Sequence, residues 1–197
     1  TIGVSFAVSM ILGPVLNGWI GVPGIFWLTG VLALFSIVVV RFQVPDPAVS
    51  RIHRDAEPVA TQFGRVLHDG QLLRLNFGIF TLHLLLTATF VAVPLALRDA
   101  GLVSEKHWQV YLLALLFSMA AMAPFIIFAE KRRQLKAVLL GAIVALALTE
   151  FGLLVWHDSV LETTLLLLIF FTAFNLLEAM LPSLIAKMAP PDAKGTA

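Results

Sequence analysis

Residues 163–188 read TTLLLLIFFTAFNLLEAMLPSLIAKM, and only Glu178 and Lys187 in that run are charged. A helix needs about 20 mostly apolar residues to cross roughly 30 Å of hydrocarbon. Five more stretches meet or approach that length, at about residues 1–17, 22–42, 75–97, 108–129 and 137–156, the first slightly short. Inside lipid the backbone must satisfy its own hydrogen bonds, which leaves helices and closed barrels. Barrel strands alternate over about 10 residues, and runs such as LLLLIFF do not. The expected class is therefore an all-α membrane protein, a bundle of about six transmembrane helices. Composition agrees: apolar residues make up 59% of the chain and charged ones 13%, with mean hydropathy +0.95, more oil than a soluble domain of this length can hide.

The connections fix an orientation. GWIGVPG and WHDSVLE are short, RDAGLVSEKH nearly so, residues 43–74 form a long polar loop, and EKRRQLK is a compact basic turn. One side of the bundle then holds Arg41, Arg51, Arg54, Arg65, Arg74, Lys131, Arg132, Arg133, Lys136, Lys187 and Lys194, and the other only Arg98 and Lys106. The positive-inside rule puts the first side in the cytoplasm. Trp19, Trp27, Trp108 and Trp156 then fall toward outer helix ends, as an aromatic belt does. Within the long loop, TQFGRVLHDGQLLRL puts Phe63, Val66 and Leu67 on one helical face. That suits either an interfacial helix or an amphipathic connector docked on the bundle.

The beginning, TIGVSFAVSM, lacks an initiator Met and a basic region, and is not expected to be a signal sequence. The end, APPDAKGTA, has no closing element. The chain is expected to be a fragment of a longer protein. The net charge of +1 gives no case for nucleic acid, which calls for clustered basic surface. No HExxH, GxSxG or GxxxxGK[ST] occurs, His53 and His68 are too isolated for a metal site, and no serine has an acid–base partner in helical register. Neither an enzyme, a metal nor a cofactor is expected, and with no Cys no disulfide framework exists.

Charged and polar groups inside the spans are the informative exceptions. An ionised group at the bilayer centre costs about 2.5 to 3.5 kcal/mol on insertion scales. Glu178 lies nine residues before Lys187, roughly 13 Å at 1.5 Å per residue, too deep for a short side chain to snorkel. Asn175, Glu178 and Pro182 share a face, which should point into the bundle or a cavity. Glu178 thus reads as a carboxylate that loads and releases protons, or as a structural group paired with a helix end or a basic loop residue. Asn76, His83, Thr87 and Phe90 form a similar stripe ending near Pro94, with His83 near mid-membrane. Imidazole is the side chain whose charge changes near neutral pH; His83 serves such a role, stacks on a ligand, or is a satisfied structural group. Glu150 lies nearer the outer end and reads as structural or lipid-facing. Pro94 and Pro124 read as kinks.

In SMILGPVLNGWIG, Gly13 and Pro14 lie deep in the first span and Gly18 follows. Small residues let helices approach closely, and proline removes a hydrogen bond and kinks the helix. The stretch resembles the antiporter motif in the fifth helix of major facilitator superfamily transporters; Ser9 and Asn17 depart from its glycines, while Gly13, Pro14 and Gly18 match. The order of spans is similar to helices five to ten of that twelve-helix fold. Residues 1–42 correspond to the last two helices of its N-terminal half, 43–74 to the cytoplasmic loop between halves, and 75–197 to the first four helices of its C-terminal half and the start of the next loop. FAEKRRQLKAV resembles a degraded copy of its cytoplasmic signature loop, with Glu130 and Lys131 at the acidic and basic positions, Arg132 beside them and Arg133 in place of a glycine. RLNFGIFTLHLLL, PFIIFAE and FNLLEAMLPSLIAK resemble one bacterial inner-membrane branch of the superfamily.

The resemblance implies a multi-pass inner-membrane protein and proton-coupled efflux or antiport of small, lipophilic molecules by alternating access. Glu178, Asn175, His83, Asn76 and Thr87 are then the candidates for the substrate and proton site, and Gly13, Pro14 and Gly18 would seal the two halves together. The implied partners are the bilayer, protons, a small-molecule substrate and the missing helices of the same protein. A sensor or binding protein on the same fold is the alternative.

Overall fold

A computed structural model describes residues 2–45, 59–191 and 193–197. Thr1, Arg51, His53 and Arg54, and part of the expected loop between halves, lie outside the described residues. Every regular element among the described residues is helical: α1 (Ile2–Gln43), a 3₁₀ turn (Ala60–Gln62), α2 (Phe63–Leu67), α3 (Gly70–Asp99), a second 3₁₀ turn (Ser104–Lys106), α4 (His107–Lys131), α5 (Leu135–Val155) and α6 (Val160–Met188). Five of them are long and apolar enough to cross a membrane. The chain divides into two compact units, Thr1–Ile52 and His53–Ala197.

The first unit is α1, which contains both of the first two expected spans. A straight helix of its 42 residues would be about 63 Å long, twice the hydrocarbon thickness. It is broken near its middle, at Gly21, whose φ of 67° and ψ of 174° are non-helical and essentially reserved to glycine. Each arm is then about the length of one span. The helix runs on through Pro14, and the break comes at Gly21, inside the expected GWIGVPG connection and just ahead of Pro23. The break folds Gly24 so tightly onto Ile20 that a Cβ there would lie 2.6 Å from the Ile20 Cβ.

The second unit is organised around α6, which packs against α3, α4 and α5, while α4 and α5 meet only slightly. Its buried face is Leu167, Phe170, Phe171, Phe174, Leu177 and Leu181. The outward faces of α3, α4 and α5 stay apolar, with Phe80, Phe117 and Leu148 exposed. A protein oily on both sides of its helices is built for lipid.

The helix ends are closed locally. The Asp69 carboxylate accepts from the backbone N–H groups of Gln71 and Leu72 at 2.9 and 3.2 Å, and the Ser159 hydroxyl from Glu162 at 3.2 Å, the N-cap arrangement. Gly101, at φ 87°, ends α3 and lets Leu102 N–H reach the Leu97 carbonyl at 2.9 Å. Arg133, at φ 54°, ends α4, and Gln134 N–H returns to Ala129 O at 2.9 Å. This is a left-handed helix terminus of the kind glycine favours, held here by an arginine. α3, α4 and α6 continue through Pro94, Pro124 and Pro182.

The connector docks on the bundle, with Val66 as its buried apolar residue. Val66 of α2 is buried with Leu72, Ala189 and Ala193, whereas Phe63 and Leu67 on the same expected face are exposed. The Val59 N–H donates to the Thr196 hydroxyl at 2.9 Å, so the residues after α6 fold back against the start of this unit.

Candidate functional site

α3 and α6 bring His83 and Glu178 together. The His83 Nε2 lies 3.7 Å from a Glu178 carboxylate oxygen, too long for a hydrogen bond and within ion-pair range. The other ring nitrogen, Nδ1, is 3.0 Å from the Ile79 carbonyl. A carbonyl only accepts, so Nδ1 carries a proton there. In the neutral ring Nε2 is then a lone pair, and it faces a carboxylate that also only accepts when ionised. One added proton, on either group, converts two facing acceptors into a donor and an acceptor. The pair remains accessible, with about half of the His83 side chain and 40% of the Glu178 side chain exposed. Phe174 meets the His83 ring edge-on, with centroids 6.0 Å apart.

Around this pair the expected polar residues disperse. Asn175 donates from Nδ2 to the Ser118 hydroxyl of α4 at 3.1 Å, and Ser118, fully buried, donates to Leu115 O at 2.8 Å. Asn175 therefore pins α6 to α4, one turn from the carboxylate that approaches α3. Thr87 donates back to the His83 carbonyl at 2.9 Å, so its proton serves its own helix. Asn76 donates to the Ala197 carbonyl oxygen at 3.3 Å, at the far end of α3 from the pair. Glu130, Lys131 and Arg132 are exposed at the C-terminal end of α4. In α1, a Cβ added at Gly13 or Gly18 would meet nothing within 4 Å.

Two features, Ser118 and Tyr111, were not singled out from the sequence, and a third, Glu150, was left between a structural and a lipid-facing role. Ser118 is one hydroxyl in an apolar run, and nothing short of the fold pairs it with Asn175. Glu150 is half-buried and one of its oxygens lies 3.1 Å from the hydroxyl of Thr89, across on α3, the structural option rather than the lipid-facing one. Tyr111 stacks on Phe90, with centroids 5.3 Å apart, and its buried hydroxyl has no hydrogen-bond partner among the described residues. Phe90 in turn meets Phe171, which meets Phe170, which stacks on Phe174. An aromatic wall thus runs from Tyr111 to His83.

Comparison with known proteins agrees with this architecture. The model of the Major Facilitator Superfamily matches residues 1–197. The chain is 39% identical over 195 residues to the inner membrane transport protein YajR of Escherichia coli (strain K12), covering 99% of this chain and 43% of that protein. It is 27% identical over 202 residues to an uncharacterized transporter of Buchnera aphidicola subsp. Acyrthosiphon pisum (strain APS), covering 99% of this chain and 51% of the relative. The chain thus spans about half the length of these curated relatives. No solved structure matches. With the oily helices, the bundle around α6 and a family match from end to end, this chain belongs to the Major Facilitator Superfamily, in the branch its helix wording resembles.

Proposed function

We propose that the chain is part of a proton-coupled secondary active transporter of the bacterial inner membrane, one that exports small lipophilic molecules by antiport. The observation that carries this reading is the approach of His83 Nε2 to Glu178 at 3.7 Å with Nδ1 engaged by Ile79. Secondary transporters rock their halves around a site near the membrane midplane, and intramembrane carboxylates and imidazoles are their usual proton relays.

The chemistry of the pair gives the coupling a mechanism. With one proton shared, Glu178 and His83 attract and hold α6 against α3. With the proton gone, carboxylate and imidazole lone pair repel, and the two helices are free to separate. Proton binding and helix separation are thereby linked, as alternating access requires. Phe174, at the ring edge of His83, and the aromatic wall behind it offer a surface to a lipophilic substrate. Asn175 holds α6 to α4 while its other face moves. Gly13, Pro14 and Gly18 would serve the packing of the two halves, and Glu130, Lys131 and Arg132 the cytoplasmic loop.

The test uses the full-length protein in vesicles loaded with a pH-reporting dye and challenged with lipophilic amines chosen because they raise its melting temperature. Glu178→Gln should abolish amine-driven proton movement while leaving expression and the amine-induced thermal shift in place. Unchanged proton movement returns Glu178 to a structural role and removes the reading.

A further inference from the structure

On the side of α6 away from His83, the bundle carries a cavity of about 880 Å³ between α4, α5 and α6, within the range of small-molecule sites, roughly 300 to 1,000 Å³. Its walls include Phe125 and Phe128 of α4, Gly141 and Ala145 of α5, and Ile169 and Leu176 of α6. The space exists because α4 and α5 each pack on α6 but barely on each other, and because α5 presents Ala137, Gly141 and Ala145 at four-residue spacing, with only open space around Gly141. Thr172 is its one hydroxyl, and that donates to its own helix at Leu168 O, 2.7 Å away. The walls therefore offer water almost nothing to bond, and a buried water needs two to four polar partners. Phe125 and Phe128 are about half exposed, so the groove opens on the flank of the bundle where hydrocarbon chains are the solvent.

One end of the groove meets the α4–α5 turn. Phe128 lies three residues before Lys131, and Ala137 directly follows Lys136. Between them Lys131, Arg132, Arg133 and Lys136 stand against the single carboxylate of Glu130, all exposed. None of these cations is in an ion pair among the described residues. Basic residues at the membrane end of an interhelical pocket attract anionic head groups.

We propose that this groove holds an acyl chain of an anionic phospholipid whose head group rests on the Lys131–Lys136 turn. The site is distinct from the His83–Glu178 pair, and it places the ligand against the face of α6 opposite that contact. A lipid bound there fills the space that α4 and α5 leave between themselves beside α6.

Native mass spectrometry of the full-length protein, equilibrated in nanodiscs of equal parts palmitoyl-oleoyl phosphatidylglycerol and phosphatidylcholine, reads out the retained lipid. The expected result is retention of phosphatidylglycerol over phosphatidylcholine, reduced roughly ten-fold when Arg132 and Lys136 are both changed to Gln. Gly141→Leu, which fills the groove without touching the charges, should reduce it as far, and Ala145→Val serves where Gly141→Leu lowers the yield of folded protein. Glycerol phosphate, which has the charge and no chain, should not compete. Loss on charge removal alone means a head group adsorbed on the turn over an empty groove and overturns the proposal. Loss on groove filling alone overturns the anionic assignment. Equal retention in all variants, or a disulfide trapping another segment of the same chain against Gly141→Cys, shows the groove is closed by protein and also overturns it.

Discussion

His83 has two ring nitrogens, and because one donates its N–H to the Ile79 carbonyl, the other can only accept unless a second proton arrives. That asymmetry turns a loose 3.7 Å contact into a chemical position rather than an accident of packing. The Asn175–Ser118 bond is different, since both partners are neutral and one is fully buried. Interhelical hydrogen bonds in membrane proteins contribute about 0.6 kcal/mol on average, because an unfolded helix in lipid finds other partners. A double-mutant cycle of Asn175→Ala and Ser118→Ala, read by thermal unfolding of the full-length protein, should return a coupling of that order. The Tyr111 hydroxyl, buried without a partner among the described residues, makes the opposite prediction. Removing an unsatisfied buried group is neutral or stabilising, by up to about 1 to 3 kcal/mol, so Tyr111→Phe should not lower the melting temperature. If it leaves stability intact yet weakens amine binding, the hydroxyl belongs to the substrate site.

At the scale of elements, the conformation of two residues shapes the chain more than their side chains do. Arg133 occupies the left-handed region, which costs a non-glycine residue about 1 to 2 kcal/mol. Arg133→Gly should therefore stabilise the α4–α5 turn by roughly 0.5 to 1 kcal/mol once the greater backbone freedom of glycine is subtracted, visible as a raised unfolding temperature. Gly21→Ala should cost about 1 to 3 kcal/mol and shift the distance between spin labels placed at Leu12 and Leu32, which lie on separate arms of α1. The boundaries of α4 to α6 were legible to within about three residues because apolar runs end where charges begin, as at Lys131, whereas α3 starts at Gly70, about five residues before the expected span. The join within α1 was legible as the GWIGVPG connection, whose central Gly21 carries the break; that the helix resumes at once on both sides was not, because GWIGVPG is nearly as apolar as its flanks. The depth of Glu178 and His83 was readable from residue spacing, but their contact depends on which helix α6 meets. Asn175 and Glu178 share a face in sequence, yet three residues leave them about 60° apart around the helix, enough for one to reach α4 and the other α3. Asn76 and His83 share a stripe but sit about 10 Å apart along it, so Asn76 meets the segment after α6 instead.

For the whole molecule, orientation is the property on which the mechanism depends. α4 has 25 residues, about 37 Å at 1.5 Å per residue, so a helix spanning roughly 30 Å of hydrocarbon brings its two ends out on opposite sides. Arg98 and Lys106 flank its start and Lys131, Arg132 and Arg133 its end. The positive-inside rule predicts that this second end, with its excess of cations, lies in the cytoplasm, and only then do the signature-like loop and the turn proposed to bind anionic lipid face the leaflet in which basic turns act. The chain has no cysteine, so single cysteines report position cleanly once those elsewhere in the full-length protein are replaced. In intact cells a membrane-impermeant maleimide should label Arg98→Cys, and should label Arg132→Cys only after the membrane is opened. Labelling of both from outside removes the spanning assignment of α4, and with it the mid-membrane placement of His83 and Glu178 on which their proposed proton role rests. Reversed labelling keeps the span but inverts the direction in which a shared proton at that pair could drive a substrate.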